Sequence, residues 1–171
     1  VKSPNLTQAW NVYVKGVTTT NAQYFRLNES NSIYSTSNPR FIPANFNSNV
    51  FSIGSDNACN GNNDDYIAYC FKSISGYSKI GTYTISSSSD RVITGLGFTP
   101  SWVMVKRTDS TGSWVITDTS RLITKEIYAD LSNAENTDSN GVQSFDSDGF
   151  TVGTGSWLGA SGGTYIYMAF K

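Results

Sequence analysis

Short apolar runs alternate with clusters of Gly, Ser, Asn and Asp along the whole chain. A period of two bounded by turn-formers is the signature of strands, and helical periodicity is nearly absent. The pattern predicts strands at residues 10–14, 23–27, 50–53, 66–71, 80–84, 102–106, 114–117, 150–152 and 164–170. The one segment with mixed spacing, SRLITKEIYADL at 120–131, fits either a short helix or a turn leading into a strand. Residues 107–113 read as a hairpin whose Gly112 can supply a positive φ, and Asp148-Gly149 is a turn signal immediately before a strand. Residues 86–90, SSSSD, form a low-complexity tip. The polar stretch 28–49, with Pro39 and Pro43, reads as a long loop of the kind that carries function or meets a partner. Together these predict an all-β fold, an antiparallel β-sandwich or barrel-like domain.

Laid over itself, the chain shows an internal duplication. YIAYCFK at 66–72 matches YIYMAFK at 165–171 at four of seven positions, at an offset of 99. FSIG at 51–54 matches FTVG at 150–153 at the same offset. Trp10, Tyr24 and Leu27 match Trp114, Tyr128 and Leu131 at an offset of 104, which implies one loop five residues longer in the first copy. The unit is thus longer than a solenoid repeat. The expected division is 1–75 and 76–171, packed as one module. YIAYCF and YIYMAF are apolar on both faces, so both are expected as central, doubly covered strands. The segments before Trp114 have no counterpart before Trp10, so the first copy is expected to lack its leading strands. A longer polypeptide or strand addition from another chain would supply them, the former being favoured.

Charge changes the picture of the surface. Only 15% of residues are Asp, Glu, Lys or Arg, the net charge is −1, and Ser, Thr, Asn and Gly take the place of the missing ions. With glycine counted, the apolar share is about 47%, enough for a core. Lys106-Arg107 is the one adjacent basic pair, so a phosphate-binding face, and hence a nucleic-acid partner, is not expected. No apolar run approaches the roughly 20 residues of a membrane helix, so no membrane insertion is expected.

Chemistry is sparse. The chain contains no His, which removes Ser-His-Asp and Cys-His catalysis and most zinc sites. Acid pairs at Asp64-Asp65 and Asp146/Asp148 lie in turn-forming contexts, where Asp serves backbone hydrogen bonds more readily than acid–base catalysis. The DNACNGNNDD loop at 56–65 is rich in oxygen ligands but fails the EF-hand template, with Ala58 at the third position and Ile67 where the bidentate Glu should stand. A non-enzymatic module with no cofactor and no metal is therefore expected. Cys59 sits in a polar loop and Cys70 in an apolar run; both are read as free, Cys70 as a small core residue, with a bridge between them left open. Trp157, in the loop TGSWLGASGG, serves either as an exposed stacking platform or as a plug over the end of the fold.

The runs GFTPSWVMVKRTDSTGSWVITDTSR (97–121), SNAENTDSNGVQSFDSDGFTVGT (132–154) and SGGTYIYMAF (161–170) resemble a domain of unknown function that recurs in tail-fibre-like virion proteins of tailed bacteriophages, notably marine and cyanobacterial ones. YIAYCFKSISGYSKIGTYT (66–84) is similar to that family's lead-in to a following unit. The resemblance covers nearly the whole chain and is weakest over 28–49. It implies a virion structural protein, part of a tail fibre, spike or surface appendage engaged in host attachment. It also implies partners among other virion subunits and itself, as a homo-oligomer such as a trimer, and a host surface glycan or protein. Alternatives are a head decoration protein and a secreted carbohydrate-binding module. The candidate partner or receptor contacts are Trp157, Asn60, Asn62, Asp64, Arg40 and Asp109.

Overall fold

In a computed structural model describing residues 1–86, 89–154 and 157–171, the alternation seen in the sequence becomes antiparallel sheet throughout. The chain divides into two units, Val1–Cys70 and Phe71–Lys171.

In the first unit, β1 (Asn11–Val12), β2 (Gln23–Arg26) and β3 (Tyr34–Ser35) form one sheet in that order. The 28–49 stretch therefore contains a strand, and it also holds a 3-10 turn at Pro43–Asn45. A short helix, α1, spans Asn57–Asn60. Two single bridges, Phe41–Ile53 and Lys2–Ile67, close the unit. Its core gathers Tyr24, Phe41 and Cys59, with Tyr13, Tyr34, Phe46 and Ile53 packed against them.

The second unit is a β-sandwich. Its larger sheet runs β4 (Ser78–Thr84), β12 (Thr164–Phe170), β6 (Trp102–Arg107), β7 (Val115–Asp118), β8 (Lys125–Tyr128), β9 (Asn136–Thr137). The smaller sheet runs β10 (Val142–Asp146), β11 (Gly149–Val152), β5 (Arg91–Thr94). Val103, Val105, Tyr165, Tyr167 and Ala169 point from the first sheet into one core with Ile93, Val142, Phe150 and Val152 from the second. Aromatic edges lock the two together: Phe150 meets Tyr167 at 5.2 Å, and Tyr83 stacks on Tyr165 at 4.8 Å. Tyr, Phe and Val alternate in these strands, so every second residue reaches the core. Both hairpins form, β6–β7 and β10–β11, but Gly112 does not take the positive φ expected of it. The carboxylate of Asp148 holds the latter turn to the chain at Gly95 and Gly97, accepting from their N–H groups at 2.9 and 2.7 Å. Of the 86–90 tip, residues 87 and 88 lie outside the described residues.

The ambiguous 120–131 segment is a turn leading into strand β8. Four expectations are corrected. Residues 50–53 make no strand, only the Ile53 bridge. Residues 66–71 are not a buried central strand; Ile67, Tyr69 and Phe71 are exposed. The cysteines exchange roles: Cys59 is buried and Cys70 exposed, both free. The alignment of the two copies also shifts. Asn11 pairs with Arg26 where Val115 pairs with Tyr128, and Tyr24 pairs with Tyr34 where Glu126 pairs with Asn136. The counterpart of Tyr24 is therefore Glu126, not Tyr128, at an offset of 102. The caps agree, since Asn28 accepts from Trp10 N–H and Asp130 from Trp114 N–H, each at 2.9 Å. The extra residues of the first copy are thus spread over several loops. A sequence comparison that pairs like with like misses this, because the backbone ladder is kept while the side chains change.

Candidate functional site at the Trp157 groove

Trp157 lies in the loop between β11 and β12 and is 41% exposed. Gly112 lies beside the indole: a Cβ there would be in ordinary van der Waals contact with its Cε3, at 4.0 Å. Trp157 borders an open groove of about 460 Å³, shared with Tyr128, Leu131, Asn133, Glu135 and Asn136. The sheet positions these residues. Tyr128 ends β8 and Asn136 begins β9, while Leu131, Asn133 and Glu135 come from the connection between them.

The polar side is ordered by its own contacts. Asn136 Nδ2 donates to Tyr128 Oη at 2.9 Å, and that hydroxyl donates to Glu126 Oε2 at 3.2 Å. Burial, above all, raises the Tyr128 phenol above its ordinary value, so the hydroxyl keeps its proton. Glu135 is held by Arg121 Nε at 3.1 Å and Lys125 Nζ at 3.6 Å. The groove is thus lined by the exposed Trp157 and Leu131 together with amides and a carboxylate. An indole face stacks on the C–H face of a pyranose, while amide and carboxylate groups bind vicinal hydroxyls; this is the ordinary division of labour in a small-molecule site.

The other expected contact residues lie elsewhere. Asn60, Asn62 and Asp64 belong to the loop and helix at 56–65 in the first unit, with Asn62 exposed. Asn60 Nδ2 donates to Gly54 O at 2.9 Å, and the Asp64 carboxylate occupies the space that a Cβ on Gly61 would need. Arg40 is not a surface contact but is 8% exposed, its guanidinium lying 3.9 Å from the Tyr24 ring. Its Nε donates to Asp56 at 3.1 Å and its Nη1 to Asn11 Oδ1. Asp56 also caps α1, accepting from Ala58 N–H at 2.8 Å. Asp109 pairs with Arg107 at 3.0 Å and accepts from Thr164 N–H at 3.0 Å, contacts that hold its carboxyl at about 2. These two residues build structure.

The acid pair Asp146/Asp148 is committed to structural hydrogen bonds: Asp146 accepts from Ser144 and Thr151 hydroxyls within its hairpin, each at 2.8 Å, and Asp148 from the N–H groups of Gly95 and Gly97 after β5. Among the described residues, no group of three or more Cys, Asp or Glu side chains converges as metal ligands would. Sequence reasoning found Trp157 but missed the residues that complete its groove. Tyr128 and Leu131 stood out only as repeat markers; their signal as site residues was their place after β8, at one end of the sheet.

Residues 1–171 match, over the whole length, the family described as Domain of unknown function (DUF7483). No curated protein and no solved structure matches the chain.

Proposed function

This chain belongs to the DUF7483 family, and we propose that it is a structural module of a phage surface appendage, a tail fibre or spike, that takes part in host attachment through the Trp157 groove. The single observation that carries the attachment role is the exposed indole bordering one open groove together with Asn133, Glu135 and Asn136. The weakly charged, hydroxyl- and amide-rich composition suits such a surface, and the likeness of the 97–121 and 132–154 runs to tail-fibre-like virion proteins supports the location. The ligand is a host surface glycan, bound by stacking on Trp157 with hydroxyls directed to the amides and Glu135. Assembly with other virion subunits and with further copies of itself, as a trimer, belongs to the same reading.

Binding to a glycan array by the intact protein, lost in Trp157→Ala and retained in the first-unit variant Asn62→Ala, is the expected result. Equal binding by parent and Trp157→Ala, or none by either, overturns the attachment role. The same groove favours a second reading, a secreted carbohydrate-binding module. Recovery of the protein in purified particles, measured by mass spectrometry, separates the two: the appendage reading requires it and the secreted module forbids it.

A further inference from the structure

The sequence contains two Asn-Gly pairs, Asn60-Gly61 and Asn140-Gly141. A glycine after asparagine lacks the Cβ that otherwise keeps its amide nitrogen from the asparagine side-chain carbonyl, so such a pair can close on itself. Closure is intramolecular, and its rate depends on whether the two groups are free to reach an attack geometry. The fold treats the two pairs differently.

Asn60-Gly61 is held. Asn60 ends α1, where its N–H donates to Asp56 O at 2.9 Å, and its Nδ2 donates to Gly54 O at 2.9 Å. The Gly61 N–H donates to Tyr66 Oη at 2.8 Å, so the nitrogen that would attack is engaged as well. The Asp64 carboxylate and the same Tyr66 hydroxyl pack against Gly61. Asn140-Gly141 lies in the turn between β9 and β10. Asn140 is exposed, and neither its side-chain amide nor the Gly141 N–H has a hydrogen-bond partner among the described residues. Other atoms fix the turn around the pair. Asn140 N–H donates to Asp138 Oδ1 at 2.8 Å, and Gln143 Nε2 donates to Ser139 O at 2.7 Å. Gly141 O accepts from Gly153 N–H at 2.8 Å. The reacting groups are therefore free while the backbone on either side is anchored.

We propose that Asn140 is a self-modifying site that deamidates through Gly141, while the fold protects Asn60. The Gly141 amide nitrogen attacks Asn140 Cγ; a C–N bond forms, the Cγ–Nδ2 bond breaks, and ammonia leaves with the proton that Gly141 gives up. Water then opens the succinimide. Attack at Cγ leaves an aspartyl residue, and attack at the backbone carbonyl carbon leaves an isoaspartyl linkage, with the main chain routed through Cγ. Either product puts a new carboxylate on the turn that already carries Asp138, beside the buried Glu126, whose Oε1 lies against Gly141. The isoaspartyl form also lengthens the main chain where Asn140 O and Gly141 O meet Gly153, the first residue of the loop that carries Trp157. The turn alone supports this reaction, whether or not the groove binds a glycan.

Incubation of the intact folded protein in mildly alkaline buffer, followed by digestion and peptide-mapping mass spectrometry, tests the proposal. Aspartyl and isoaspartyl products are expected to accumulate at position 140 about tenfold faster than at position 60, or more. In guanidinium chloride the two rates are expected to converge, because unfolding releases the bonds that hold Asn60 and Gly61. An isoaspartyl-specific methyltransferase should label the aged, folded parent and leave aged, folded Asn140→Gln near background. Three results overturn the proposal: an Asn140 that stays intact in the folded protein while the unfolded chain reacts, equal rates at both sites in the folded protein, or a rate difference that persists unchanged in guanidinium chloride. None of these results depends on binding at Trp157.

Discussion

At the scale of single residues, the two copies solve one buried position in opposite ways. In the first, Tyr24 lies beneath Arg40, whose charge is shared by Asp56 and Asn11. In the second, Glu126 takes the place of Tyr24 at 1% exposure, and a Cβ on Gly141 would sit 2.1 Å from its Oε1. Oε1 has no hydrogen-bond partner among the described residues. Burial first, then the nearby Asp138, pushes the Glu126 carboxyl up to about 7, against a hydrogen bond from Tyr128. The unfolded chain titrates near about 4.3. Folding therefore favours the protonated form, whose contribution is complete below about pH 4 and lost as pH rises through about 7. Glu126→Gln should match the parent at pH 4 and exceed it by about 2–3 kcal/mol at pH 8 in urea melts. Equal stability at pH 8 contradicts the assignment. Arg40→Ala should cost about 3 kcal/mol at neutral pH, because it strands the Asp56 carboxylate and the Asn11 amide; chemical denaturation measures it. A loss under about 0.5 kcal/mol, the range of an ordinary surface substitution, contradicts that placement.

At the scale of elements, the duplicated glycines are a common steric requirement. A Cβ on Gly54 would lie 2.0 Å from Pro39 O, and one on Gly153 would lie 2.7 Å from Asn140 O. Both sit directly after a bridged pair, Phe41–Ile53 and Val142–Val152, where one chain crosses close over the other. Gly54→Ala should lower stability by about 2 kcal/mol or more and Gly153→Ala by less, in thermal melts, since backbone oxygens cannot swing away as a side-chain tip can. Equal melting temperatures for parent and Gly54→Ala contradict the close approach. These matched positions were legible as FSIG and FTVG, because packing against backbone admits only Gly. Strands with strong alternation, β6, β7, β11 and β12, were legible for the same reason: their side chains report both faces. β3 and β9, two residues each and largely polar, were not, since their pairing comes from neighbours. The 66–71 error has the same origin. Its side chains specify a central strand, but a ladder forms only where partners lie alongside.

At the scale of the whole molecule, the second unit is the reference and the first is its variation. The all-β class was legible from periodicity and the duplication from shared register. The Trp157 groove was only half legible, because it depends on which loops meet at one end of the sheet. The central claim is that one backbone plan is used twice, with the same hydrogen bonds kept at matched positions of the two copies. Backbone hydrogen exchange at neutral pH tests it most directly. The account predicts slow exchange at both members of each matched pair, Leu27 and Ala129, bonded to Trp10 O and Trp114 O, and Gly54 and Gly153, bonded to Arg40 O and Gly141 O. Fast exchange at Leu27 and Gly54 beside slow exchange at Ala129 and Gly153 would contradict it.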